Sequence, residues 1–500
     1  MIESRGIMDH PEVPDHRRLD ELLESVAAPQ SAVPPIAVSG IAYDSRSVRP
    51  GDAFFCIPGF AHDGHAFAPK AVARGAVALV VKRPLSDLGC PQVVVDDPRA
   101  ALASAASRFY GRPSESLRVV GITGTNGKTT TAHLLDAVLR AAGLTTGVIG
   151  TVGTRIAGRH REAARTTPES ADLQALLAEM LAEGVDATVM EVSSHAIDLH
   201  RVDDVRFAVA AFTNLSQDHL DYHSTLEEYF AVKRRLFTEF HPGSAVIDID
   251  DPAGVALTAD LSASRLVTVG RAERALVRPL DECPGPLSTE FTLAIPEGSA
   301  FVTLPLPGRF NVSNALVAAG CAMALGIAVE TIAAGLTSAP QVPGRLERVE
   351  AGQPFAVLVD YAHTPDGLEK AIEAVRAVTP GRIITVFGCG GDRDPDKRPQ
   401  MGKVAGRASD LSIATSDNPR SEDPVGILLA VEDGLKESGG SYETQVDRRR
   451  AIARAVDIAH ADDAVLIAGK GHEDYQIFAD RTVHFDDREV AREELERRWS

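Results

Sequence analysis

The sequence has few cysteines and no long apolar run. Its 500 residues include five cysteines, at positions 56, 90, 283, 321 and 389, which are scattered and lack the spacing of metal ligands. Such usage predicts reduced thiols in a cytoplasm. The first residues, Met1–Gly6, lack an apolar signal core, and no run reaches 18 apolar residues, so we expect a cytoplasmic chain without membrane insertion.

The sequence also lacks an excess of positive charge. Its formal net charge is −19, which argues against nucleic acid or an anionic membrane surface as a partner. An anionic substrate would therefore need basic residues concentrated locally. The hydrophobic content of 44% and the charged content of 24% are ordinary for a globular protein, and the length suggests about three domains.

One stretch, Val119–Thr130, joins a β-rich apolar run to an amphipathic helical pattern through a glycine-rich turn. The turn and the helix N-terminus predict a phosphate cradle, in which Lys128 reaches the β- and γ-phosphates and Thr129 holds Mg²⁺. Ile122 stands where the usual pattern has its first glycine, so this is a variant loop. The alternative is a glycine-rich turn without a ligand.

The segment from about 115 to 343 alternates strands and helices, as a mostly parallel nucleotide-binding sheet would. One predicted strand ends in Glu191-Val-Ser-Ser-His195, and another ends before Asp218-His-Leu-Asp221. Carboxylates and imidazoles are therefore predicted at the carboxyl edge of the sheet. Taken together these residues favour a metal site, although each histidine alone is more often structural. Lys233 lies on a predicted helix, and composition alone makes it a solvated residue.

The last segment repeats the strand–helix rhythm. Four predicted strands, Phe355–Asp360, Arg382–Phe387, Leu411–Thr415 and Ala464–Ala468, are each followed by a polar loop. We expect these loops to cluster at one edge of a sheet and to face a ligand. Between residues 272 and 305, apolar and polar residues alternate and the pattern breaks at proline and glycine. This predicts an antiparallel excursion from the mostly parallel sheet. The first hundred residues predict a small α/β unit.

Six motifs together resemble the Mur ligase family. They are Asp44-Ser-Arg46, Gly124-Thr-Asn-Gly-Lys-Thr-Thr130, Glu191-Val-Ser-Ser-His195, Asp218-His-Leu-Asp221, Val359-Asp-Tyr-Ala-His363 and Gly469-Lys-Gly-His-Glu473. The resemblance covers essentially the whole chain, in order. It implies an α/β protein of three domains: a small N-terminal α/β domain for the UDP-sugar (1–113), a central P-loop ATP-binding domain with a mostly parallel sheet (114–343), and a Rossmann-like C-terminal domain for the amino acid (344–500).

The resemblance implies an ATP-dependent amide-bond ligase of peptidoglycan biosynthesis, which works through an acyl phosphate. We expect the protein to be a monomer. Its implied substrates are UDP-MurNAc-L-Ala-D-Glu and meso-diaminopimelate. The implied catalytic residues are Lys128, Lys233, Glu191 and His219. The implied nucleotide contacts are Gly124, Thr125, Asn126, Gly127, Lys128, Thr129, Thr130, Asn314, Arg345 and Asp360. The implied Mg²⁺ ligands are Thr129, Glu191, His219 and, as a carbamate, Lys233; that role replaces the solvated interpretation of this lysine.

The resemblance also implies contacts to the sugar–dipeptide and to the amino acid. Those to the sugar–dipeptide are Tyr43, Ser45, Phe60, Ala61, His62, Thr166, Thr167, Ser193 and Arg201. Those to the amino acid are Arg393, Asp417, Asn418, Pro419, Arg420, Gly469 and Glu473. The sequence departs from the family pattern at Arg165, where many relatives have asparagine, and at Leu199, where some have glutamine.

The loop Asp417-Asn-Pro-Arg420 bears on the choice of amino acid, because an arginine fork can hold the second carboxylate of diaminopimelate. The alternative for Arg420 is a surface cation. Sister ligases with another specificity, lysine-adding, dipeptide-adding or folylpolyglutamate-forming, share the ATP core and remain alternatives. A P-loop protein that hydrolyses nucleotide without ligation is an alternative of another class.

Overall fold

The computed structural model describes residues 16–27, 33–59, 62–163, 165–219, 222–285 and 288–499. Its residues group into two compact units. The first consists of Met1–Thr123, Leu144–Ala210 and Val232–Ser244, and the second of Gly124–Gly143, Ala211–Ala231 and Ala245–Ser500. The α/β class agrees with the expectation, and the boundaries at 113 and 343 stay a prediction.

The helices and strands are numbered in chain order. The helices are α1 Leu19–Leu23, α2 Ala68–Ala73, α3 Pro98–Phe109, α4 Lys128–Ala141, α5 Ser170–Ala182, α6 Ser194–Asp198, α7 Leu226–Thr238, α8 Pro252–Thr258, α9 Arg309–Ala324, α10 Val329–Thr337, α11 Pro365–Arg376, α12 Lys397–Ala408, α13 Pro424–Ser438, α14 Arg448–Ile458 and α15 Asp487–Trp499. The strands are β1 Arg17–Arg18, β2 Ala37–Val38, β3 Gly40–Ala42, β4 Asp52–Phe55, β5 Ala78–Val81, β6 Gln92–Val94, β7 Arg118–Thr123, β8 Thr146–Gly150, β9 Gly153–Ile156, β10 Arg159–Arg161, β11 Ala187–Glu191, β12 Phe207–Phe212, β13 Ser244–Asp248, β14 Leu266–Val269, β15 Arg278–Pro284, β16 Thr289–Ile295, β17 Gly298–Leu304, β18 Glu347–Arg348, β19 Ala356–Asp360, β20 Ile383–Cys389, β21 Leu411–Ser416, β22 Tyr442–Gln445, β23 Ala464–Ala468, β24 Tyr475–Ile477 and β25 Thr482–His484.

A small parallel sheet in the order β3-β4-β5-β6 forms part of the first unit. Its strands are apolar on both faces because helices cover both sides. Phe55 and Val80 pack in the cluster that contains α1 and α3, whereas Phe54 and Leu79 pack in the cluster that contains α2. The small N-terminal α/β unit expected from the sequence is therefore present.

Also in the first unit, the strands β10-β9-β8-β11-β7-β12 are neighbours in that order. β11 pairs in parallel with both β7 and β8, and Glu191 lies opposite Ile122. The neighbouring strands β7 and β12 pack closely at Gly121, because a Cβ there would overlap the ring of Phe207. The parallel pairing places the carboxyl ends of β7 and β11 side by side.

In the second unit, β15, β16 and β17 form an antiparallel sheet, which confirms the excursion predicted for residues 272–305. β18-β19-β23-β20-β21-β22 form another sheet, and only β18 is antiparallel in it. The four predicted strands are consecutive there, as β19-β23-β20-β21. Their carboxyl ends therefore meet at one edge, as expected.

All five cysteines are unpaired, and three of them are buried. Within the described ranges, none of the helices combines the length and the apolar character needed to cross a membrane.

A buried ion pair joins the N-termini of α14 and α15. Arg448 donates to both carboxylate oxygens of Asp487, at 2.7 and 2.6 Å, and to the carbonyl oxygen of Ala468 at 3.0 Å. Both charged side chains are fully buried. Burial by itself would lower the pKa of Arg448, but the charge and hydrogen bonds of Asp487 raise it overall.

We expect Asp487→Asn to destabilise the second unit by about 3–5 kcal/mol, because it leaves the Arg448 guanidinium buried without its countercharge. Thermal unfolding measured by calorimetry checks this. The control is Asp457→Asn, which breaks an exposed pair with Arg497 and should cost at most about 1 kcal/mol. Equal losses in the two variants would contradict the expectation.

Candidate active site

The glycine-rich loop Gly124–Gly127 packs closely against Thr213 and Asn314, without space for a side chain at either glycine. Gly124 has φ +144° and Gly127 has φ +86°, which are values that favour glycine. A Cβ on Gly124 would overlap the Thr213 hydroxyl, and one on Gly127 would overlap the Asn314 amide oxygen. The loop is therefore a tight turn whose shape depends on its glycines.

The residues that follow β12 brace this loop. Asn214 accepts from the N–H of Thr125 through its backbone oxygen and from the N–H of Asn126 through its side chain, both at 2.9 Å. The Thr213 hydroxyl donates to the carbonyl of Asn126 at 2.7 Å. From the sequence alone, neither Thr213 nor Asn214 was assigned to the loop.

Helix α4 begins at Lys128, so Lys128, Thr129 and Thr130 all lie in its first turn, where N–H groups lack intrahelical partners. The Lys128 ammonium donates to the carbonyls of Gly124 and Thr125, at 2.9 and 2.7 Å. The positive end of the helix dipole adds to this charge, so the loop can hold an anion.

Arg345 reaches the same loop from the segment before β18. Its guanidinium donates to the Thr129 hydroxyl at 3.1 Å and lies 4.7 Å from the ring centre of Tyr361. Next to it, Gly344 has φ +65° and packs so tightly on Gly471 and His472 that a Cβ would overlap their backbone. The predicted nucleotide residues at 124–130, 314 and 345 are thus brought together.

Asp360 ends β19 with a buried carboxylate. The carboxylate accepts from the N–H groups of Leu346 and Ala362, at 2.7 and 2.8 Å. Burial raises the pKa of Asp360, although Arg345 and these two hydrogen bonds oppose the rise. In the structure, Asp360 holds the turn after Arg345 in place. A direct contact with nucleotide stays a prediction.

His219 follows Asp218 with a left-handed backbone, at φ +55°. Its N–H donates to the Asp218 carboxylate at 2.9 Å. Burial of Asp218 disfavours the charged form, but His219, His363 and Lys397 outweigh burial and lower the pKa of Asp218. This part of the second unit therefore holds a carboxylate among cationic and imidazole groups. Leu220 and Asp221 of the same motif lie outside the described residues.

In the first unit, Glu191 ends β11 with a carboxylate that is 2% exposed. It accepts from the N–H of Thr151 at 2.8 Å and from the hydroxyl of Thr151 at 3.1 Å. The Thr151 hydroxyl also lies 3.0 Å from that of Thr166. The predicted residues Glu191 and Thr166 are therefore connected through Thr151, which sequence reasoning missed.

Thr167 and Ser193 form a second small network beside Glu191. The Thr167 hydroxyl donates to the carbonyl of Glu191 at 2.9 Å and accepts from the N–H of Ser193 at 3.2 Å. Ser193 in turn caps α6 by accepting from the N–H of Ala196. Arg201 donates to the carbonyl of Thr167 at 3.3 Å. The structure therefore brings the predicted dipeptide residues 166, 167, 193 and 201 together.

The buried carboxylate of Glu169 pairs with Arg99, Arg165 and Arg201, at 3.0, 2.9 and 3.0 Å. Arg165 therefore has a structural role as a partner of Glu169. Burial lowers the pKa of Arg201 with help from the other two arginines, although Glu169 opposes this. Basic residues are concentrated here, as an anionic substrate requires. Leu199, the other departure, caps the C-terminal end of α6.

The residues predicted at the uracil end lie partly outside the described residues, because Phe60 and Ala61 are not described. Tyr43 donates to the Asp172 carboxylate at 2.5 Å, and burial raises its pKa. Ser45 is buried, whereas His62 is exposed and makes an edge contact with Phe67. No described contact joins Ser45 to His62.

Lys233 is only 1% exposed. The composition-based interpretation of this lysine as a solvated helix residue is therefore wrong. A lysine so buried needs a specific polar environment, because an ammonium removed from water without partners is costly.

In the second unit, Asn418 connects the loops after β21 and β23. Its amide donates to the Glu473 carboxylate at 2.8 Å and accepts from the ammonium of Lys470 at 3.3 Å. Gly469 lies against the Asp417 carboxylate. Burial raises the pKa of Glu473, while Lys470 and Asn418 oppose the rise. Lys470, fully buried, was not predicted as a site residue.

Arg420 has a left-handed backbone, at φ +51°, and its guanidinium donates to the carbonyl of Gly391 at 2.8 Å. Pro419 packs on the same loop, because a Cβ on Gly391 would overlap its carbonyl oxygen. Arg393 is exposed in the loop after β20, and its guanidinium donates to the carbonyl of Asp392. Arg420 is only partly exposed, which argues against a plain surface cation.

The predicted Mg²⁺ ligands are oxygen donors and one imidazole, a set that Mg²⁺ accepts. Among the described residues, no group of three or more His, Cys, Asp and Glu side chains forms a metal cluster. The predicted set contains only two residues of those types, Glu191 and His219, so the prediction stays untested. The buried Glu191 carboxylate and the Thr129 hydroxyl have the right chemistry.

The comparisons agree along the whole chain. Residues 37–110 match the Mur ligase family catalytic domain, residues 122–322 the Mur ligase middle domain, and residues 344–471 the Mur ligase glutamate ligase domain. A UDP-N-acetylmuramoyl-L-alanyl-D-glutamate–2,6-diaminopimelate ligase from Gloeobacter violaceus is 48% identical over 97% of this chain and 99% of its own.

The ligase of the same name from Geobacillus thermodenitrificans is 47% identical over 91% of this chain and 94% of its own. A solved structure of a ligase with this name has a TM-score of 0.69 at 31% identity, and the match covers 97% of this chain and 100% of the other. Relatives this similar over nearly their full length establish the family. The chain belongs to the Mur ligase family.

Proposed function

We propose that this chain is the ATP-dependent ligase that adds meso-diaminopimelate to UDP-MurNAc-L-Ala-D-Glu. One observation supports the choice of amino acid most directly. A guanidinium, Arg420, and a carboxylate, Glu473, belong to loops that Asn418 joins at one sheet edge. Diaminopimelate has a second carboxylate for the arginine fork and a distal ammonium for Glu473. At the same end of its side chain, lysine has the ammonium but no carboxylate.

The proposed reaction needs an activated carboxylate, because hydroxide is a poor leaving group. ATP supplies a phosphoryl group to the terminal carboxylate of the sugar–dipeptide, which gives an acyl phosphate and ADP. The amine of the amino acid then attacks the acyl carbon, phosphate leaves, and the nitrogen loses a proton. In this scheme Lys128 and the N–H groups at the start of α4 offset the charge of the phosphoryl group.

Mg²⁺ would neutralise phosphate charge in this reaction, and Thr129, Glu191 and His219 are the residues proposed to hold it. Lys233 joins this set if carbon dioxide converts its amine to a carbamate. The burial of Lys233 supports a role inside the protein rather than on its surface, and its carbamate would be an anion able to face a cation. Arg345 and Asn314, which meet the loop at Thr129 and Gly127, are proposed nucleotide contacts.

In the first unit, Arg201, Thr167, Ser193 and Thr166 are proposed to hold the dipeptide. Glu169 keeps Arg201 oriented toward the carbonyl of Thr167, so a guanidinium N–H can meet a substrate carboxylate in a fixed direction. Tyr43, Ser45, Phe60, Ala61 and His62 are proposed to hold the UDP end. We also propose that the protein is a monomer and acts in the cytoplasm.

The test measures phosphate release from ATP and Mg²⁺ with UDP-MurNAc-L-Ala-D-Glu, and compares meso-diaminopimelate with L-lysine. We expect release with diaminopimelate only. Release with lysine instead would keep the family and overturn the role proposed for Arg420. Release without either amino acid would favour a hydrolase that does not ligate.

A further inference from the structure

The first unit contains a polar cavity that the proposed ligase reaction does not use. Its volume is about 230 Å³, and three arginines, Arg108, Arg112 and Arg206, line it together with four serines and two acidic residues. The residues around it come from the segment after α1, from α3, from the turn at 112–115 and from the segment before β12.

The three guanidinium groups are only partly neutralised. Arg206 is exposed, and within the described part of the chain its guanidinium has no hydrogen bond or ion pair. Arg112 lies 3.7 Å from Glu115, in an exposed pair of the kind that contributes little. Arg108 is fixed by bonds to the carbonyl of Glu21 and the hydroxyl of Ser25, at 2.8 and 2.6 Å.

Serine hydroxyls supply further donors. Ser25 already accepts from Arg108, and Ser114 accepts from the N–H of Arg206 at 3.0 Å. Because each oxygen has one acceptor position in use, its O–H proton remains available to a ligand. Ser114 is 3% exposed and Ser104 is 9% exposed, so two of these hydroxyls belong to the buried wall of the cavity.

The charge of the cavity favours an anion. Three guanidinium groups stand against two carboxylates, Glu115 and Asp204, in a protein whose formal net charge is −19. Like charges repel, so an anion bound among the three guanidinium groups would relieve their mutual repulsion.

We propose that this cavity binds a phosphate group, as inorganic phosphate or as the phosphate monoester of a small metabolite. A tetrahedral dianion presents acceptor oxygens in several directions, and it can use donors from Arg112, Arg206 and the serines at once. A carboxylate presents two oxygens in one plane and would satisfy only one guanidinium fork. The volume leaves space for a few further atoms beside the phosphate.

The experiment titrates inorganic phosphate into the full-length chain by calorimetry. It is done in a Lys128→Ala background, because the glycine-rich loop is itself a phosphate site. We expect saturable binding in this background, and a loss of affinity of at least about tenfold in Arg206→Gln and in Arg112→Gln. The control is Arg159→Gln, an exposed arginine of the same unit outside the cavity, which should leave the affinity unchanged.

Two results would overturn the proposal. One is the absence of saturable binding once Lys128 is replaced; the other is binding that ignores both arginine substitutions. Glycerol 3-phosphate distinguishes the sources, since tighter binding than inorganic phosphate points to a metabolite and equal binding to the free ion. Acetate binding as tight as phosphate would contradict the phosphate class.

Discussion

Replacing Lys128 with alanine is expected to lower kcat for phosphate release by at least about a thousandfold. The ammonium lies within the loop, on the carbonyls of Gly124 and Thr125, where it meets the proposed phosphate position. Its charge acts on the transferring phosphoryl group, whose negative charge must be offset in the transition state. The measurement is steady-state phosphate release with all three substrates.

Lys403→Ala is the matched control, because Lys403 is a half-exposed lysine of the same unit that pairs with Glu437 at 3.3 Å and belongs to none of the proposed sites. It should retain full activity. Calorimetry must show that Lys128→Ala still folds, since the substitution also removes two hydrogen bonds from the loop. A folded Lys128→Ala protein that keeps a tenth of the wild-type rate would contradict the proposed role of the lysine.

Arg420→Ala is expected to reduce kcat/KM for meso-diaminopimelate by about 100- to 1000-fold, which corresponds to one lost charge-assisted pair. The kcat/KM for L-lysine should change far less, because lysine has no second carboxylate for the guanidinium. The ratio of the two kcat/KM values is the informative measurement, since general damage to the site would lower both.

Arg420→Lys tests the geometry of the fork, because a lysine keeps the charge but cannot bind a carboxylate bidentately. We expect it to recover only part of the preference. The control is Arg450→Ala on α14, where the arginine is 78% exposed. An Arg420→Ala enzyme with an unchanged preference would remove Arg420 from amino-acid recognition.

The sequence predicted the parts of the site that are contiguous in the chain. The strand, turn and helix around Gly124–Thr130 follow from local patterns, because hydrophobic periodicity and glycine placement act over a few residues. The common edge of β19, β20, β21 and β23 follows as well, since parallel strands align their carboxyl ends. Local chemistry was therefore enough for these features.

The remaining features depend on residues that are distant in the sequence. Glu169 meets Arg99 and Arg201 across 70 and 32 positions, and no periodicity signals such a meeting. The burial of Lys233 could not be predicted for a related reason. Other elements must pack against a given position of an amphipathic helix to bury it, and the sequence of the helix does not show whether they do. The hydrogen bonds between Asn214 and the glycine-rich loop are a third contact between residues that are distant in the sequence.

Gly344 and Arg345 have a consequence for how two ligands influence each other. Arg345 donates to Thr129 in the first turn of α4, beside the glycine-rich loop, and the adjacent Gly344 packs against Gly471 and His472, next to Glu473. One short segment therefore touches both the proposed nucleotide site and the proposed amino-acid loop, and it has no space for a side chain at position 344.

We expect nucleotide and amino acid bound at these proposed sites to be energetically linked through these two residues. Such linkage is reciprocal: the factor by which nucleotide changes the affinity for the amino acid equals the factor by which the amino acid changes the affinity for nucleotide. A side chain at position 344 would displace the segment and uncouple the two equilibria. Position 344, which is not among the proposed ligand contacts, would in this way set how strongly the two affinities depend on each other.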